Sequence, residues 1–128
     1  MRKYLITGAA GFIGSQLASK LQEAGEDVVG LDNYNDHLYD PSLKEDRVIH
    51  FGLDVRPVDL RDESKLAQLL AREKPTHIVH LAAYAGVRDS FGKEKAYHSN
   101  NIDGTQNLID LCKIHCPEVR IVYASTSC

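Results

Sequence analysis

The spacing Gly8-x-x-Gly11-x-x-Gly14 constrains this chain more than any other feature, because of what stands on either side of it. Tyr4-Leu5-Ile6 before it is a short apolar run that reads as a buried strand, and Phe12 to Glu23 is amphipathic and reads as a helix. In a strand-turn-helix order the glycines have separate tasks. Gly8 lets the chain turn at the strand end, Gly11 leaves bare backbone open to a pyrophosphate, and Gly14 lets the helix lie close to the sheet. The first helical turn, which holds Phe12 and Ile13, presents unpaired N–H groups and the positive end of its dipole to those phosphates. Val28-Val29-Gly30-Leu31 then reads as a second strand ending in Asp32-Asn33. An acid at that point, about 20 residues past the glycine loop, accepts hydrogen bonds from the adenosine ribose and repels a 2′-phosphate. The order predicts a dinucleotide site that prefers NAD to NADP. The competing reading, ordinary loop glycines and a turn aspartate, leaves that order unexplained.

Further along, Tyr34 to Pro41 is dense in turn formers and reads as a surface loop. Asp40 and Pro41 suit the start of a helix that runs to about Phe51 and stops at Gly52. A third strand is expected from Leu53 to about Val58, and Pro57 within it favours an edge position. Asp62 caps a helix carrying Leu66, Leu69 and Leu70 that ends near Lys74-Pro75. His77 to Leu81 is almost continuously apolar, as a central parallel strand would be, and it runs into the small residues Ala82-Ala83-Tyr84-Ala85-Gly86. A long helix from about Glu94 to Cys116 and a fifth strand, Arg120 to Tyr123, complete the alternation. Such an alternation predicts an α/β fold, a Rossmann-like doubly wound parallel sheet of order 3-2-1-4-5 that stops after strand five. Residues 1–128 then form one NAD-binding domain.

With 15 basic and 18 acidic residues, a net charge of −3, the chain has no basic footprint for nucleic acid or an anionic membrane surface. No run approaches the roughly 20 apolar residues that span a bilayer. Three cysteines, Cys112, Cys116 and Cys128, lack framework spacing, which points to a reducing, cytoplasmic setting. Cys112 and Cys116 share a helix face with His115 nearby, but no second ligand cluster accompanies them, so they read as core residues and no metal is expected. His77 and His80 would point to opposite faces of one strand and read as packing residues.

These motifs together resemble the extended short-chain dehydrogenases/reductases, in particular the NAD-dependent nucleotide-sugar epimerases and dehydratases. Beside the glycine spacing, Asp59-Leu60 looks like that family's adenine-contacting pair after strand three, and His80-Leu81-Ala82-Ala83 like the strand end along the cofactor. Asn100-Asn101-Ile102-x-Gly104-Thr105-x-Asn107-Leu108 is similar to the helix facing the nicotinamide half, and Val122 to Ser127 resembles the strand end whose Ser/Thr meets the substrate. The resemblance implies cofactor contacts from Asn33, Asn35, Leu81, Ala82, Ala83, Ala85 and Asn100, with Asn101 in a structural bond. On the residues alone, both asparagines read equally well as polar groups satisfying backbone. Asn33-Tyr34-Asn35-Asp36, Tyr39-Asp40-Pro41 and Ala85-Gly86-Val87-Arg88 look most like UDP-glucuronate 4-epimerases. UDP-sugar decarboxylases and dehydratases share the broader motifs.

The reaction implied is transient oxidation of a UDP-sugar to a keto sugar and its re-reduction on the other face. The family's base is a Tyr four residues ahead of a Lys, helped by a Ser/Thr. Thr126 matches the Ser/Thr, with Ser125 and Ser127 beside it as substrate contacts; Cys128 stands where several relatives have a small hydroxyl residue. Arg88 reads as a contact for the sugar nucleotide's phosphate or carboxylate, or as a solvated loop arginine. No Tyr here has a Lys four positions on. In the family that pair follows strand five, so the sequence reads as the amino-terminal part of a longer enzyme, without the sugar-nucleotide part and inactive alone. A homodimer is implied for the parent enzyme, and this chain, whose fifth strand is an open edge, is expected to self-associate or to be marginally stable. The rival of another class is an NAD-binding sensor module without catalysis.

Overall fold

The computed structural model describes residues 2–33, 42–82 and 102–124. In chain order these form β1 (Lys3–Thr7), α1 (Phe12–Glu23), β2 (Asp27–Asp32), α2 (Ser42–Phe51), β3 (Val55–Pro57), α3 (Glu63–Glu73), β4 (His77–His80), α4 (Gly104–His115) and β5 (Arg120–Tyr123). All strand pairs are parallel and the sheet order is β3-β2-β1-β4-β5. The expected Rossmann-like topology is therefore the observed one.

Alternation along β1 sorts the core into two layers. Leu5 faces a large cluster with Leu66, Leu69 and Leu70 of α3 and Leu108 and Cys112 of α4, whereas Ile6 faces a small one with Ala9 and Ala18. Leu66 and Leu70 are wholly buried, and each such leucine contributes about 1.5–3 kcal/mol by leaving water. At the start of α3 the Asp62 carboxylate accepts from the Lys65 amide at 3.1 Å, the expected cap. At its end Lys74 takes a left-handed φ of 44°, and its N–H donates to the Leu70 carbonyl.

One strand differs from expectation, and the expected starts of two helices lie outside the described residues. β3 is only Val55–Pro57, shorter than Leu53–Val58; it does lie at the sheet edge, where a proline removes no ladder bond from a further strand. α2 is described from Ser42 and ends at Phe51 before Gly52 as expected, while Asp40 and Pro41 lie outside the described residues. Of the long helix expected from Glu94, the stretch 94–101 lies outside as well, and α4 ends one residue short of Cys116. β5 occupies the other end of the sheet, with Val122 and Tyr123 exposed.

Candidate functional site

The carboxyl ends of β1, β2 and β4 converge on the glycine loop. Gly8 has a φ of +73°, a left-handed conformation that side chains resist, and its N–H and that of Ala9 both donate to the Leu31 carbonyl, at 2.9 and 3.1 Å. A Cβ on Gly14 would collide with the Gly8 carbonyl, so only glycine lets α1 begin this close to β1. A Cβ on Gly11 would meet the Gly8 oxygen at 3.2 Å and otherwise enter open space. No side chain caps α1, no acid stands in its first turn, and Phe12 and Ile13 are 66% and 67% exposed. A cradle of bare backbone at an uncapped helix start fits a pyrophosphate.

Asp32, 4% exposed, closes the loop from the side: its Oδ2 accepts from the Ala10 amide at 3.1 Å, and Lys44 Nζ lies 3.6 Å from Oδ1. Arg47 on α2 reaches the Ala10 carbonyl at 3.4 Å and stands over the Phe12 ring. Next to Asp32, the Asn33 amide donates to Asp59 Oδ2 at 3.3 Å. Asp59 also takes the Arg61 guanidinium, at 3.0 and 2.7 Å, and the Arg61 backbone N–H. These bonds, the Arg61 side chain first, hold its carboxyl down at about 2. The carbonyl of the buried Leu60 accepts from Asn107 of α4 at 3.2 Å, which ties the end of β3 to the helix across the site.

Under the loop lies a buried polar chain. Thr7 and His80 are register partners on β1 and β4. The Thr7 hydroxyl accepts from the amides of Leu81 and Ala82 at 2.9 and 3.0 Å, which fills its lone pairs, so its own proton goes to His80 Nδ1 at 2.6 Å. Nε2 then carries the ring proton and donates to Thr105 at 2.8 Å. Burial pushes the imidazole below its ordinary value, keeping it neutral.

Of the expected site residues, Gly8, Gly11, Phe12, Ile13, Gly14, Asp32, Asn33, Asp59, Leu60, Leu81 and Ala82 are brought to this edge. Asn35, Ala83, Ala85, Arg88, Asn100, Ser125, Thr126 and Ser127 lie outside the described residues. Sequence reasoning passed over Thr7, Lys44 and Thr105, and gave His80 a packing role where it is a bonded link between two strands and α4. Cys112 and Cys116 are free thiols in the larger core layer; burial first, then its neighbour Cys116, pushes the Cys112 thiol up to about 12. Among the described residues no three metal-ligating side chains cluster, and no helix is long and apolar enough to cross a membrane.

Comparison with known proteins places this geometry. The Arabidopsis thaliana protein "UDP-glucuronate 4-epimerase 1" is 44% identical over 126 residues, 96% of this chain and 29% of that protein. "Protein CapI" of Staphylococcus aureus is 42% identical over 128 residues, 98% of this chain and 38% of its own. Among solved structures, a mutant UDP-glucuronic acid 4-epimerase from Bacillus cereus, in complex with UDP-4-deoxy-4-fluoro-glucuronic acid and NAD, superimposes with a TM-score of 0.84 at 35% identity, over 98% of this chain and 40% of that one. The Thermus thermophilus UDP-glucose 4-epimerase complex with NAD gives 0.84 at 32%, over 97% and 37%. This chain thus spans well under half the length of the relatives it matches. The family description "NAD dependent epimerase/dehydratase family" matches residues 4–128, nearly the whole sequence, and the loop, acid and strand order all lie inside that match: the chain belongs to this family.

Proposed function

We propose that residues 1–128 form the NAD-binding domain of a nucleotide-sugar epimerase acting on UDP-glucuronate. The observation that carries the cofactor half is the bare-backbone cradle of Gly8, Gly11 and Gly14 with the Asp32 carboxylate fixed beside it by the Ala10 amide. The first-turn N–H groups of α1 hold the pyrophosphate, and Asp32 accepts from the adenosine ribose. Asn33 and Asn35 add contacts on that half, and the Asp59-Leu60 pair, held by Arg61 and Asn107, borders the adenine. Leu81, Ala82, Ala83, Ala85 and Asn100 line the path toward the nicotinamide. When bound, NAD supplies the acceptor and donor of the hydride in a transient oxidation of the sugar. Thr126 bonds the reacting oxygen, and Ser125, Ser127 and Arg88 hold the substrate. The sugar half of the reading rests on the 44% identity to a UDP-glucuronate 4-epimerase.

The compartment is cytoplasmic, in keeping with two buried free thiols. The parent enzyme is a homodimer, while this chain self-associates through the open edge of β5 and binds neither nucleic acid nor membrane. Calorimetric titration with NAD and sedimentation of the same sample test the first half. A folded chain that takes up no NAD at millimolar concentration refutes it. For the second half, the protein in its natural reading frame is assayed with UDP-glucuronate for conversion to the 4-epimer without net NADH; conversion of UDP-glucose alone would reassign the sugar, and release of carbon dioxide the reaction.

A further inference from the structure

We propose that Lys44 orients the Asp32 carboxylate for the adenosine ribose and sets how strongly the site refuses a 2′-phosphate, an inference that rests on the NAD-binding reading above. Lys44 stands in the first turn of α2, where the helix dipole disfavours a cation, and the residue is only 8% exposed, where an ammonium needs an anion. The position answers both objections by bringing Nζ to 3.6 Å from Asp32 Oδ1. Asp32 is thereby held at two points, Lys44 on Oδ1 and the Ala10 amide on Oδ2, which fixes the plane of the carboxylate. At 3.6 Å the contact is an ion pair rather than a short hydrogen bond, and its strength lies in charge more than in geometry.

The same arrangement carries a second consequence. The pair is close to neutral overall, so the refusal of NADP depends on the negative member standing nearer the ribose. Once Asp32 loses its charge, Lys44 remains as a buried cation within reach of the point where a 2′-phosphate sits. The site is then turned from refusing that phosphate to attracting it.

The test is equilibrium titration of NAD and of NADP into the chain and its variants, with circular dichroism to confirm folding. Asp32→Asn is expected to shift the NADP-to-NAD affinity ratio toward NADP by about tenfold or more, and adding Lys44→Met to abolish that shift. With Asp32 intact, Lys44→Met is expected to weaken NAD by about tenfold, and Lys44→Arg to stay within about threefold of the original. The second comparison decides the matter if Asp32→Asn fails to fold. Equal ratios in Asp32→Asn with and without Lys44, or a Lys44→Met variant that binds NAD as tightly as the original chain, overturn the inference and leave the NAD reading intact. An original chain that binds neither nucleotide overturns both.

Discussion

The Thr7 hydroxyl donates to Nδ1 of His80 across 2.6 Å, and this bond sets the tautomer of a buried imidazole that joins β1, β4 and α4. Thr7→Val keeps the shape and removes the hydroxyl, so the Ala82 amide and Nδ1 lose the bonds they make to it and the Leu81 amide keeps its bond to the residue 7 carbonyl. A loss of about 2–4 kcal/mol in urea unfolding is expected, whereas Thr7→Ser stays within about 1.5 kcal/mol. An equal effect of both would show that the methyl group, not the hydroxyl, matters.

His80 also makes stability depend on pH. Burial lowers its value in the folded chain, so between that value and the ordinary 6.5 the unfolded chain binds the extra proton. The contribution is complete above about 6.5 and is lost as the pH falls through the window below it. Urea midpoints measured from pH 7.5 to pH 5 should decline, and less steeply in His80→Gln. A flat profile in the original chain refutes the assignment.

Gly14→Ala introduces a Cβ against the Gly8 carbonyl and forces α1 away from β1. The expected cost is about 1–3 kcal/mol in stability, with NAD binding weakened more than tenfold by calorimetry. The control Gly25→Ala strains only a left-handed turn with open space around it and should leave NAD binding unchanged.

Lys74 ends α3 in a left-handed conformation that glycine adopts without strain. Lys74→Gly is expected to raise stability by about 0.5–1 kcal/mol, read as a higher melting temperature, with no effect on nucleotide binding. A lower melting temperature would mean that the lysine side chain contributes more than its backbone costs.

What was legible in the sequence is what local chemistry decides. The glycine spacing, the acid at the end of β2, the cap at Asp62 and the proline of an edge strand each express a backbone demand within a few residues, and each appears where expected. β3 was drawn too long because Leu53 and Val58 are apolar for reasons other than pairing: Leu53 packs against the small core layer and Val58 is buried in the large one. The contact between Lys44 and Asp32 was invisible, since a lysine in an amphipathic helix reads as a solvated residue and nothing in a linear pattern aims it back across a loop. The Thr7–His80 bond required the register of β1 against β4, which no property of either strand discloses. The site residues expected on 34–41, 83–101 and 125–128 lie outside the described residues.

The two faces of the sheet are filled unequally: fully buried leucines of α3 and α4 crowd one, whereas on the other Ile6, Ala9 and Ala18 are ringed by side chains, Leu17, Leu21 and Leu53 among them, that are only partly buried. The layer that carries the glycine loop is therefore the one that breathes first, and amide exchange in α1 should outrun that in α3. Nucleotide arriving at that loop slows the motion of the weaker layer and leaves the stronger one nearly as it was. The expected outcome is that NAD lengthens the time the chain withstands a protease, read as slower cleavage with nucleotide than without.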